Sequence, residues 1–197
     1  MFFVRILKDL STANGAKAAA EDFKSKESVL HVLYNNAGVM GTPKGKISSD
    51  GYEYQWAVNV FGPFVFTYWH LLSVLERTAE NAPCGTARII NIASDGAKQA
   101  PKRGIPLDDP TVGFNATRFE CYGHTWHLIL EGPACTQCLC SLHSRTAATI
   151  DSSHNGSFLV PLAKFEDKLP HTQCYDDEFG KRVWDWNVEA MKKAGAD

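Results

Sequence analysis

The chain has 197 residues, 44% of them apolar and 21% charged, which is ordinary globular composition and excludes wholesale disorder. Twenty basic against 22 acidic side chains leave a net charge of −2. That balance argues against nucleic acid as the main partner, because phosphate binding needs clustered positive charge. The longest apolar stretch, Gly62 to Leu75, is interrupted by Thr67, His70 and Ser73. It falls short of the roughly 20 apolar residues of a membrane span, so no span is expected. No basic region precedes the apolar start MFFVRILKDL, so no secretory signal is read there. Six cysteines without such a signal read as reduced thiols, and the expected location is the cytoplasm.

In chain order, Phe2 to Asp9 reads as an apolar strand, and Ser11 can cap the next element. Ala13 to Lys26 is rich in Ala, Lys and Glu with Phe23 on one face, which predicts an amphipathic helix. Val29 to Leu33 is a short uncharged run, the pattern of a strand buried on both faces. It leads into Asn35-Asn36-Ala37-Gly38, turn chemistry at a strand's carboxyl end. A long helical stretch comes next, from Asp50 to Arg77, with Pro63 expected to kink it. Ala87 to Ala93 predicts another buried strand, ending at Ser94-Asp95-Gly96. No period of 2 or 3.6 runs through Glu120 to Ala148, so Trp126 to Ser153 is expected to be poorly ordered compared with residues 29 to 95. Apolar order returns at Gly156 to Ala163, and Asp176 to Lys193 predicts a closing amphipathic helix. Lys192 and Lys193 suit the negative end of that helix.

Alternating strands and helices predict an α/β fold with a parallel sheet and right-handed crossovers. In such a sheet, ligands bind outside the carboxyl ends of the strands. Three such ends carry short polar or glycine residues: Asp9-Leu10, Asn35 to Gly38, and Ser94 to Gly96. Each alone reads equally as a strand-ending turn; three in succession point to a ligand crevice. Cys135, Cys138, Cys140 and His143 crowd into nine residues, whereas zinc knuckles come as two separated pairs, so no metal is expected.

Asn35-Asn36-Ala37-Gly38 after an apolar strand resembles the NNAG segment of the short-chain dehydrogenase/reductase family. Four further segments are similar to that family and occur in its order. Asp9-Leu10 resembles the acidic-apolar pair on the adenine ring, and Val58 to Gly62 resembles the helix with the active-site asparagine, here Asn59. Ile90 to Ser94 resembles the strand delivering the active-site serine, and Tyr122-Gly123-His124 resembles the start of the Tyr-x-x-x-Lys motif. The insertion between Ser94 and Tyr122, with Pro101, Gly104, Asp108 and Asp109, is similar to the retinol-dehydrogenase-like branch. The closing stretch from Gly156 to Trp186 is similar to fungal members of that branch.

The resemblance implies a partial Rossmann-like doubly wound parallel sheet lacking its first strands. It runs over residues 3 to 125 and returns near 155, which implies a single incomplete domain: 1–125 matched, 126–153 disrupted, 154–197 closing it. It implies hydride transfer between NADP or NAD and a small carbonyl or alcohol substrate. Asn59, Ser94 and Tyr122 would be catalytic, with Asp9, Leu10, Asn35, Asn36, Ala37 and Gly38 on the cofactor. The aromatic run Trp56, Phe61, Phe64, Phe66, Tyr68 and Trp69 reads as a packing face, and in the resembled family that helix serves a homo-oligomer interface.

The sequence departs from the family pattern twice. The family's Gly-rich turn TGxxxGxG, which cradles pyrophosphate, does not occur in these residues, and the chain is expected to start at the family's third strand. Four positions after Tyr122 the family has a lysine that binds the nicotinamide ribose, and this chain has Trp126. An indole carries no charge to favour a tyrosinate. An aberrant splice or a frame-shifted reading would account for both. The rival reading is therefore a catalytically inactive remnant, or a binding protein derived from the family.

Overall fold

The structure is a computed structural model, and it describes residues 8–83, 86–100, 116–129, 136–138, 158–160, 164–165 and 177–195. The first helix, α1, spans Ala13–Lys24 and buries Ala13, Ala16, Ala19, Ala20 and Phe23 on one face. Its cap is Thr12 rather than the expected Ser11: the Thr12 hydroxyl accepts from the Gly15 N–H. The Ser11 side chain is buried, and its N–H is held by the Asp9 carboxylate at 2.8 Å. Asp50 completes the cap by accepting from the Ala13 N–H at 2.7 Å. Of the strand expected over Phe2 to Asp9, residues 2–7 lie outside the described residues, and 8–10 form no strand.

Strand β1 is Val32–Asn35, three residues later than the sequence suggests. Val29 is 48% exposed, and the Leu30 N–H is taken by the Thr78 hydroxyl, so the ladder begins only beyond them. Strand β2, Arg88–Ile92, falls inside its expected span and pairs with β1 in parallel, Val32 opposite Arg88 and Asn35 opposite Asn91. Strands β3 (Thr136–Cys138) and β4 (Phe158–Val160) extend the sheet in parallel, and β5 (Lys164–Phe165) returns antiparallel to β4. The fold is thus the expected α/β, Rossmann-like parallel sheet. The carboxyl ends of β1 and β2 open on one edge, as the site assignments require.

The long helix α2 runs Tyr54–Glu80, 27 residues. Pro63 has no N–H for the Asn59 carbonyl, and the helix winds wide on both sides of it. Ala57–Phe61 and Val65–Leu71 are π-helical, with the Gly62 N–H reaching back to Ala57 O. By length and composition α2 could cross a membrane, which corrects the expectation that no segment qualifies. Two-thirds of its most apolar window (67%) is buried inside the fold, the pattern of a core helix.

Of Trp126 to Ser153, expected to be poorly ordered, the structure describes residues 126–129 and 136–138. Helix α3 spans Arg118–Ile129, carrying Trp126 within it, and β3 pairs with β2. Helix α3 continues because Trp126 to Ile129 offers nothing that breaks a helix, and β3 is held by backbone bonds that need no side-chain period. The rest of 130–153 lies outside the described residues, and so do Cys135, Cys140 and His143.

Helix α4, Asp177–Lys193, lays its aromatics across α2. Trp184 packs edge-on to Phe64 and Tyr68 at 5.0 Å each, and Trp186 meets Trp56 at 4.7 Å. The aromatic run of α2 is therefore largely core, as its residue types suggest. Trp69, 40% exposed, is the exception.

Candidate active site

Ser94 follows the end of β2 and caps a short 3-10 turn, Asp95–Gln99; its Oγ accepts from the Gly96 N–H at 3.1 Å. Tyr122 lies on α3, and its ring rests on Gly96. A Cβ at Gly96 would stand 2.6 Å from Cε1 of Tyr122 and 3.2 Å from the Ser94 Oγ. Only glycine therefore lets ring and hydroxyl approach each other. One residue along α3, Gly123 presses on the same turn: a Cβ there would fall 2.5 Å from the Ala100 nitrogen. These two glycines set the depth at which α3 docks. The sequence presents them as ordinary turn or helix residues, and only the approach distances reveal their part.

Asn59 sits in the first π-helical stretch of α2 and is 1% exposed. Its Oδ1 accepts from the Val39 N–H at 2.8 Å, and its Nδ2 donates to Val39 O and to the Thr125 hydroxyl, both at 3.0 Å. The Thr125 hydroxyl donates in turn to Tyr122 O at 2.8 Å. Asn59 thus ties the loop after β1 to the helix of the tyrosine. The sequence reading names Asn59, Ser94 and Tyr122; the structure brings Ser94 and the Tyr122 ring together at Gly96 and links buried Asn59 to the tyrosine's helix through Thr125. The sequence reading misses Thr125 and Gln55. Gln55 is a buried amide one turn before Asn59, and a lone glutamine amid the apolar run of α2 was the available signal.

The residues expected on a cofactor divide. Asn36, Ala37 and Gly38 are exposed just beyond β1. Asn35 turns into the protein, where its Nδ2 donates to Thr67 at 3.0 Å and to Asn91 at 2.8 Å. It braces β1 against β2 and α2. Asp9 is exposed and closes a local turn on Ser11, and Leu10 is half-buried against the core. On α3 itself, burial pushes the Cys121 thiol up to about 11, with the charge of Glu53 adding to the effect. Cys121 therefore stays a neutral thiol at physiological pH. Glu53 itself, which accepts from the Trp56 N–H at the start of α2, is raised above the ordinary carboxyl value by burial.

No family model matches the chain. A short-chain dehydrogenase/reductase of Armillaria gallica is 41% identical over 229 aligned positions, covering 94% of this chain and 72% of that protein. The alignment is longer than the chain, so the relative carries residues that this chain lacks. A short-chain dehydrogenase/reductase of Aspergillus calidoustus is 48% identical over 119 residues, 59% of this chain. The chain spans little more than a third of that relative's length, 37%. Among solved structures, NADPH-bound carbonyl reductase from chicken fatty liver superposes with a TM-score of 0.54 at 17% identity, over 83% of this chain and 76% of that one.

Proposed function

Since the chain belongs to the short-chain dehydrogenase/reductase family of NAD(P)-dependent oxidoreductases, we propose that its site interconverts a small carbonyl compound and the matching alcohol. The observation that carries this reading is the meeting of Ser94 and Tyr122 across Gly96. The Ser94 oxygen already accepts from the Gly96 N–H, which leaves the hydroxyl proton to hold a substrate oxygen. The Tyr122 phenol gives a proton to that oxygen in reduction and takes it back in oxidation. Asn59 keeps the loop after β1 and the tyrosine's helix in register.

NADP or NAD is the cofactor of this reading, and when bound it supplies or accepts the hydride. The exposed run Asn36, Ala37 and Gly38 lies on the same sheet edge as Ser94 and suits the nicotinamide end; Asp9 and Leu10 would meet the adenine. The fit stops at the pyrophosphate. No Gly-rich turn occurs in the 197 residues. The first amides of α1 are already taken by Asp50 and Thr12. A cytoplasmic location goes with this reading, supported by the free, buried thiol of Cys121.

A second reading, a catalytically silent member of the family that binds without turnover, is favoured by Trp126 standing where the family places lysine. One assay separates the two. The purified chain is offered NADPH or NADH with simple aldehydes, and NADP or NAD with secondary alcohols. Turnover that Tyr122→Phe abolishes supports the oxidoreductase. Equal, background-level rates in both chains, with folding intact by circular dichroism, support the silent reading.

A further inference from the structure

Gln55 and Asn59 stand four residues apart on α2 and therefore share one helix face. Both amides are 1% exposed. Each joins the loop after β1 to α3. Asn59 does so through Val39 and Thr125. The Gln55 Oε1 accepts from the Gly41 N–H at 2.8 Å, and its Nε2 donates to Arg118 O at 3.0 Å. Arg118 opens α3, four residues before Tyr122, and Thr125 follows Tyr122 by three. The tyrosine is thus held between two attachment points, both on α2.

We propose that Gln55 is a positioning residue for Tyr122: with Asn59 it forms a two-point clamp that fixes the height and rotation of α3 over Ser94. The inference rests on the reading of Ser94 and Tyr122 as the reactive pair. A buried amide is costly unless both ends are bonded, so an aliphatic side chain would serve the core of α2 at least as well. What the amide adds is direction. Its donor end and acceptor end each fix one backbone group, and those two groups belong to the two elements that frame the site. Because the Gly41 and Arg118 partners are backbone atoms, the side chains at 41 and 118 give no sign of the clamp; within its own segment the amide also bonds the Glu53 carboxyl.

The test uses the full chain labelled with carbon-13 at tyrosine Cζ, the Tyr122 resonance being assigned with Tyr122→Phe. Gln55→Met keeps the volume and removes the bonds to Gly41 and Arg118 together with the amide's bond to the Glu53 carboxyl. Made both in the parent and in Glu53→Gln, it separates the two effects. It is expected to displace the Tyr122 resonance, to leave Tyr34 and Tyr68 in place, and to speed Gly41 amide exchange by roughly tenfold. Gln55→Glu supplies the rescue. As a neutral acid its O–H donates to Arg118 O while its carbonyl accepts from Gly41; once ionised it cannot donate. The Glu53 carboxyl faces position 55, so the series is run in the Glu53→Gln background. There the Tyr122 resonance should match that background's own at acid pH and move toward the Gln55→Met position as the carboxyl at 55 ionises. A Tyr122 resonance that Gln55→Met leaves at its background's position, or a Gln55→Glu series whose resonance never returns to that of Glu53→Gln, overturns the proposal. Should Gln55→Met not fold, the pH series on Gln55→Glu decides alone. Neither readout needs turnover, so a chain without oxidoreductase activity defeats the proposed function and leaves the clamp standing or falling by itself.

Discussion

At Gly96 the absence of a side chain lets the Tyr122 ring settle against the serine turn, since a Cβ would stand 2.6 Å from Cε1. Gly96→Ala must therefore push the ring or the turn away. Overpacking of this kind costs about 1–3 kcal/mol, and urea unfolding should record a loss in that range. An unchanged midpoint would mean that α3 docks more loosely than the distances imply. Asn59 is a sharper case, because its single amide makes three hydrogen bonds to buried or half-buried partners. Asn59→Leu removes them and leaves the Val39 backbone without its partner. At about 1 kcal/mol per bond the expected loss is roughly 3 kcal/mol. Asn59→Asp should fall between, since a carboxylate accepts from Val39 N–H but cannot donate to Thr125.

Among the elements, α2 is the organiser, and its first turn carries a titratable cap. Glu53 is buried, and burial holds its carboxyl above the ordinary value. Between the unfolded and the raised folded value, the native state binds more protons than the unfolded chain. Stability is then fully present below the unfolded value, near 4.5, and is lost as pH rises through the folded one. Glu53→Gln keeps an acceptor for the Trp56 N–H and does not titrate. Stability measured from pH 4 to 7 should thus decline less in Glu53→Gln than in the parent; parallel curves would contradict the raised value. These elements were unequally legible in the sequence. Helices α1 and α4 appear almost as their apolar spacing predicts, because one-sided burial against α2 is what that spacing encodes. Strand β1 slips by three residues, since Val29 is as apolar as Val32 and only a distant hydroxyl, that of Thr78, tells them apart. Asn59, Ser94 and Tyr122 were legible through a resemblance of motifs. The lone glutamine of α2 signals a buried amide, but the partners of Gln55 at Gly41 and Arg118, and the meeting of Thr125 with Asn59, are distant in sequence, and no local pattern names them.

Across the whole molecule, the aromatic run of α2 that the sequence reads as a packing face is covered by the chain's own α4. Trp184 seals Phe64 and Tyr68, and Trp186 seals Tyr52 and Trp56, each edge-to-face. Such pairs add about 0.5–1.5 kcal/mol beyond the apolar area they bury. Trp184→Ala should consequently cost about 2–4 kcal/mol, somewhat below a full core truncation because the ring is only partly buried. Ending the chain at residue 176 is the stronger test, since it strips α4 from the whole aromatic face at once. A contiguous apolar strip of that size is an association surface. The shortened chain is expected to bind a hydrophobic dye and to sediment as dimers or larger species at concentrations where the parent's sedimentation coefficient is constant. If it sediments as the parent does and takes up no dye, α4 is not the cover of α2, and the strip must be shielded by another part of the chain.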